Sequence, residues 1–364
     1  MRLPHMEHRH RDLSRDGTGY RGVPHVELPD SWFRATERHR VVRFADDCLR
    51  GASQVFLQNN ALTGLIILIA VGWGAAAAGV PQAAAGAVAG LVVGTATATL
   101  LRVPYAAVRD GLFGFNPLLT GLALPIFLRA TPLLWVYLVV GAVVTTVVTL
   151  AVNAVFRTWE VPALTFPFVL TTWLLLLAAY QFGRISTGTL GPPTLPHGVD
   201  PRAARVPVTG AFLTPSLLRD VSEVFLLGSW VAGLLMLVAL ALNSLWTAGC
   251  AVVGAVVSTV IAAWFGAGGT AVAAGLYGFS AVLTAVALGG VFLRPSRRAI
   301  LYALVGVVFT VVVQGALNTA LAPVGVPSLT APFVFVTWLF LLPRRELAPT
   351  GHRELPDHDV TGAC

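Results

Sequence analysis

The chain has 364 residues, 56% hydrophobic and only 11% charged, with a mean hydropathy of +0.76. An ordinary soluble domain carries roughly 25% charged residues, so a soluble globular fold is excluded, and the long continuous apolar runs exclude a membrane barrel of alternating strands. The net charge of +7 comes from arginines in tails and loops around those runs, which membrane topology explains, and nucleic acid is set aside as a partner.

Residues 1–50 are polar, lack the apolar run and cleavage site of a secretory signal, and read as a largely unstructured tail. Gln54, Gln58, Asn59 and Asn60 then place amides just before the first apolar run. They form either a solvated cap or a cluster facing water or a neighbouring helix. Apolar stretches near 61–80, 83–101, 111–128, 133–156 and 163–182 approach the ~20 residues with which a helix crosses ~30 Å of hydrocarbon.

A glycine-rich block, Gly111-Leu112-Phe113-Gly114-Phe115, opens the third stretch and runs into Asn116-Pro117. The aquaporin half-helix motif would continue with Ala, and no second Asn-Pro follows in the other half. Phe115 and Leu119, spaced i and i+4, are either a packing face or the wall of a flat slot. The fifth stretch begins Pro162-x-x-Thr165-x-Pro167-Phe168. Such prolines mark either a loop leading into a helix or a helix break whose freed carbonyls line a pathway.

Residues 183–219, with Gly191-Pro192-Pro193 and Pro196-His197-Gly198, form a linker between a first membrane repeat, 51–182, and a second, 220–343. Ser222-Glu223-Val224-Phe225-Leu226 answers Ser53-Gln54-Val55-Phe56-Leu57, and Gly275-Leu276-Tyr277-Gly278-Phe279 answers the glycine block, with Leu283 matching Leu119. Pro327-x-x-Thr330-x-Pro332-Phe333 answers the Thr165 block. Further apolar stretches near 230–247, 248–266, 270–293, 299–318 and 328–343 bring the expectation to about ten spans, five per half. An odd number per half inverts the second relative to the first and places a site at their interface near the membrane midplane.

With the N-terminal tail inside, Arg102, Arg109, Arg157, Arg294, Arg297, Arg298, Arg344 and Arg345 fall on the inner side, and both termini, including the tail 344–364, are cytoplasmic. Arg129 lies outside, as do Arg184, Arg202, Arg205 and Arg219 of the linker. All eight histidines lie in the tails or linker, which rules out an intramembrane imidazole relay and disfavours an ammonium channel. Cys48, Cys250 and Cys364 have no metal-ligand spacing, so no metal or other cofactor is expected. Asp110 and Glu160 neighbour arginines at span ends. Glu223 is either an acid in the first turn of a helix or the counterpart of Gln54 at an interior site.

The Gln54-Val55-Phe56 lead into Asn59-Asn60, the Gly-x-x-Gly-Phe-Asn block and the doubled Leu-Thr-x-Pro-Phe together resemble the urea transporter family over roughly residues 50–343. That resemblance implies an all-α polytopic membrane protein of two inverted halves, with ten spanning helices and two re-entrant half-membrane helices. It also implies a homotrimer in the lipid of a bacterial inner membrane, each protomer with its own pore. Gln54 and Glu223 would then sit at two urea sites, Val55, Val224, Thr165 and Thr330 at the middle constriction, and Phe115, Leu119, Phe279 and Leu283 at the slot walls. Leu57 stands where the family commonly has Phe, Ala61 where it has Pro, Gly228-Ser229-Trp230 where it has amides, and Ser280-Ala281 where it has Asn-Pro.

Urea is flat and neutral, with four N–H donors and one carbonyl acceptor, so hydroxyls and freed carbonyls can replace its water while apolar walls exclude hydrated ions. The expected function is passive urea conduction without enzymatic chemistry. The alternative is an ion-coupled transporter of a small neutral amide, with Glu223 as the titrating or cation-binding group.

Overall fold

The computed structural model describes residue 26 and residues 28–196, 198–200 and 210–343. Residues 1–25 and 27, His197, residues 201–209 of the linker and the tail 344–364, with the expectations placed on them, lie outside the described residues. Among the described residues the elements are all helical, apart from an isolated antiparallel bridge between Leu128 and Thr187.

Helices α1 (Asp30–Arg38) and α2 (Arg40–Gln54) precede α3 (Ala61–Ala77), α4 (Pro81–Leu100), α5 (Tyr105–Arg109), α6 (Phe115–Phe127), α7 (Pro132–Phe156) and α8 (Phe166–Ala179). The chain then continues through α9 (Gly210–Ser222), α10 (Trp230–Asn243), α11 (Leu245–Trp264), α12 (Gly269–Ala273) and α13 (Phe279–Ala285). A π-helical stretch, Val286–Phe292, extends α13 and leads to α14 (Arg297–Leu321) and α15 (Ala331–Leu341). From α2 and from α9 onward the two series run in the same order.

Helix starts follow from local chemistry. The Asn60 carboxamide accepts from the Leu62 and Thr63 amides to cap α3, while Thr131, Ser229, Ser244 and Ser296 cap α7, α10, α11 and α14. Pro81 and Pro132 open α4 and α7 at a position where no amide hydrogen is needed.

Among the described residues, Pro81–Leu100, Pro132–Trp159, Leu245–Trp264 and Arg297–Val324 are long and apolar enough to cross a membrane. Leu213–Phe225 with Trp230–Asn243, bent by 77° at a short break, gives a fifth crossing if the pair is one span. The other expected spans hold shorter apolar helices, among them α6 with 13 residues and α15 with 11. At 1.5 Å per residue these reach only about 20 Å or less, short of the hydrocarbon thickness. The proline and glycine blocks have cut them.

Two boundaries depart from the sequence reading. The stretch read as an unstructured tail is helical from Asp30, and Asp46, Asp47 and Cys48 are buried in it. The linker likewise ends early, because α9 begins at Gly210 and carries Pro215 within it. Glu223 therefore follows the end of a helix, in the 3-10 turn Glu223–Phe225, and the first-turn position considered for it is not where it sits.

Packing depends on small residues, as expected where hydrocarbon provides no hydrophobic drive between helices. Gly86 on α4 and Gly121 on α6 approach so closely that a Cβ on either would meet the other's carbonyl oxygen. Outward, α7 exposes Val136, Val140 and Val147, and α14 exposes Leu301, Val305 and Val312, faces suited to lipid.

Candidate functional site

Four chain breaks border one buried apolar cluster that draws on both halves. After α2 the chain turns through Gln54-Val55-Phe56 to Leu57 at φ 58°, and after α9 through Glu223-Val224-Phe225 to Leu226 at φ 55°. Ahead of α8 stands Leu164 at φ 53°, and ahead of α15 stands Leu329 at φ 50°. A branched side chain in left-handed backbone costs on the order of 1–3 kcal/mol, and such strain clusters at functional sites. Here it recurs at matching places of both halves.

Thr165 and Thr330 occupy the N-cap positions of α8 and α15, yet neither hydroxyl caps its helix. They hydrogen-bond to each other across the halves at 2.7 Å, both buried. Pro167 and Pro332 lie in the first turns of these helices, so the loop-into-helix reading of the proline blocks is right for them. The positive ends of two helix dipoles adjoin the threonine pair.

Reciprocal bonds hold this meeting point. The Trp173 indole N–H donates to the Pro327 carbonyl at 2.8 Å, and the Trp338 indole to the Pro162 carbonyl at 2.9 Å. The Phe56 and Phe225 rings pack at 5.9 Å between centroids, Thr63 donates to the Ala239 carbonyl, and Asn243 donates to Gln58.

Of the residues singled out from sequence, Thr165 and Thr330 touch directly, and Val55, Val224, Phe115, Leu119, Phe279 and Leu283 belong to one buried apolar cluster. Phe115 and Phe279 open α6 and α13, with Leu119 and Leu283 a turn further on. Gln54 and Glu223 are not brought together. The Gln54 amide donates to the Asp110 carbonyl at 2.7 Å, and Glu223 stands half-buried with its carboxylate close to Gly228.

Asn116 shows a role that its motif did not reveal. Its amide donates to the Leu164 carbonyl at 3.1 Å and its oxygen accepts from the Phe168 N–H at 3.2 Å, so it caps α8 from another helix. The corresponding Ser280 is too short for this, and its buried hydroxyl has no partner among the described residues. Buried hydroxyls at Thr172 and Thr337, at matching places on α8 and α15, are likewise unpartnered.

Sequence reasoning missed a charged cluster beside Gln54. Asp46 accepts from the Trp32 indole at 2.8 Å and from Arg50 at 2.9 Å, while Arg109 holds Asp47 at 2.7 Å. Arg109 thus serves an ion pair rather than a loop's topology alone, and Asp110 instead takes the Asn59 amide. Asp220, also missed, is fully buried and accepts from Thr259 at 3.0 Å. Arg109→Gln leaves buried Asp47 unpaired and is expected to lower stability by roughly 2 kcal/mol, less than for a wholly enclosed pair because the guanidinium is 26% exposed. Thermal unfolding in detergent checks this, with Asp47→Asn in the same background recovering part of the loss.

A family model described as urea transporter matches residues 45–345. Urea transporter 1 of Ovis aries is 29% identical over 315 residues, covering 86% of this chain and 79% of that protein, and Urea transporter 1 of Capra hircus matches to the same extent. Urea transporter 1 of Rattus norvegicus is 28% identical over 305 residues, covering 83% of this chain and 77% of its own length.

Proposed function

The chain belongs to the urea transporter family, and from that premise we propose that it conducts urea passively, through a filter at the Thr165–Thr330 pair. Its family places it among integral membrane proteins that transport rather than catalyse, with urea as the substrate.

The observation that carries the reading is the hydroxyl pair between the first turns of α8 and α15. Each hydroxyl can exchange its bond to the other for a bond to urea, accepting an N–H or donating to the carbonyl oxygen, so the pair replaces part of the hydration that urea gives up on entering. A cation there meets two positive helix ends, and apolar walls at Phe115, Leu119, Phe279 and Leu283, with Val55 and Val224, exclude hydrated ions. Gln54 and Glu223, at the two interrupted helices, supply acceptors on the approaches. The reciprocal tryptophan bonds support inverted repeats related by a twofold axis through the threonines. In this reading the protein acts as a homotrimer in a bacterial inner membrane, with both termini cytoplasmic.

Stopped-flow light scattering on proteoliposomes without an ion gradient tests this. Protein-dependent urea flux is expected, unaltered by a protonophore and largely kept by Glu223→Gln, because the matching place in the first half is already the amide of Gln54. Flux that requires a proton or sodium gradient and is lost in Glu223→Gln would make Glu223 the coupling group of a carrier instead.

A further inference from the structure

Away from the threonine site, a crevice of about 250 Å³ lies between α11, α13 and α14, with Trp246, Cys250, Gly289, Ile300 and Ala303 among its lining residues. Its origin is legible by comparison with the first half. There Gly86 and Gly121 let α4 and α6 touch backbone to backbone, whereas at the corresponding places of α11 and α13 Cys250 and Ala285 line the crevice. Backbone-close packing resumes a turn further on, where a Cβ on Gly254 would meet the Ala281 carbonyl. The π-helical stretch Val286–Phe292 contributes Gly289 to the lining. Gly249, also in the lining, has no atom within 4 Å of where its Cβ would stand.

The crevice has a charged end. Its walls come from the opening turns of α11 and α14, so both helix N-termini lie at that end. Arg297 and Arg298 precede Ile300 by less than one turn, about 5 Å along the axis, and Arg294 comes just before the Ser296 cap. All three arginines are exposed. An apolar slot open to the membrane and crowned by guanidinium groups and two positive helix ends matches a ligand with a hydrocarbon tail and an anionic head.

We propose that this crevice binds an anionic phospholipid, with one acyl chain between α11 and α14 and the phosphate among Arg294, Arg297 and Arg298. Native mass spectrometry of the full chain in detergent, titrated with dioleoylphosphatidylglycerol or dioleoylphosphatidylcholine, tests it. The expected result is one phosphatidylglycerol per protomer, held at least tenfold more tightly than phosphatidylcholine. Gly249→Leu, which fills the slot, should weaken retention at least tenfold. The surface triple Arg294→Gln, Arg297→Gln, Arg298→Gln should erase the preference between headgroups, and it keeps the test decisive if Gly249→Leu fails to fold. Unchanged retention in a Gly249→Leu protein of unaltered melting temperature, or an unchanged preference in the triple variant, overturns the proposal. So does dispersal of an oligomer by Gly249→Leu, since the crevice would then be a contact between copies.

Discussion

Replacing Thr165 and Thr330 together with valine is expected to slow urea flux at least tenfold while leaving the protein folded. The two side chains bond to each other and are shielded from solvent, so removing both hydroxyls leaves no stranded polar group, and valine keeps their shape. Urea at that point would then lack both hydroxyls that replace its water, at about 1–3 kcal/mol each, so the pair exceeds the roughly 1.4 kcal/mol of a tenfold loss. Either single substitution strands the other hydroxyl, so each should lower the melting temperature more than the double does. Stopped-flow flux and thermal unfolding on the same preparations read both effects. A double variant that conducts like the parent removes the threonines from the filter.

Gly233→Ala is expected to prevent recovery of a monodisperse protein. A Cβ at Gly233 would run into the carbonyl of Leu218, and one at Gly64 into the carbonyl of Leu49, so at matching places a returning helix presses on the backbone of the one before the break. Overpacking against a side chain costs about 1–3 kcal/mol, and backbone cannot swing aside, so the loss should exceed that range. Gly72→Ala serves as the control, because nothing stands within 4 Å of its Cβ. Size-exclusion profiles after detergent extraction distinguish them, and equal profiles would remove the close approach as a determinant of the fold.

The long apolar helices, the repeated blocks and the doubled threonine motif were legible because each is written locally and then written again. What was not legible depends on distance. Asp46 and Asp47 sit in a polar stretch whose composition is that of a solvated tail, and the ion pair that keeps Asp47 buried joins it to Arg109, 62 positions later. The mistaken surroundings of Glu223 came from prolines and glycines that read as linker, although α9 accommodates Pro215. Asn116 resembled a fragment of another family's motif, and only the packing of α6 beside α8 reveals it as a cap. The tryptophan anchors had a signal that went unused, since Thr172-Trp173 and Thr337-Trp338 extend the third repeated block.

The bonds that join the halves have a bearing on how the molecule is made. Trp173 finds its acceptor 154 positions later, Thr165 its partner 165 later, and Pro162 its indole 176 later. A nascent chain that has emerged only as far as α14 therefore carries an indole and a hydroxyl in the membrane without the partners they will finally have. The centre of the molecule closes last, when α15 leaves the ribosome, and until then membrane chaperones and proteases have an unfinished first half to recognise.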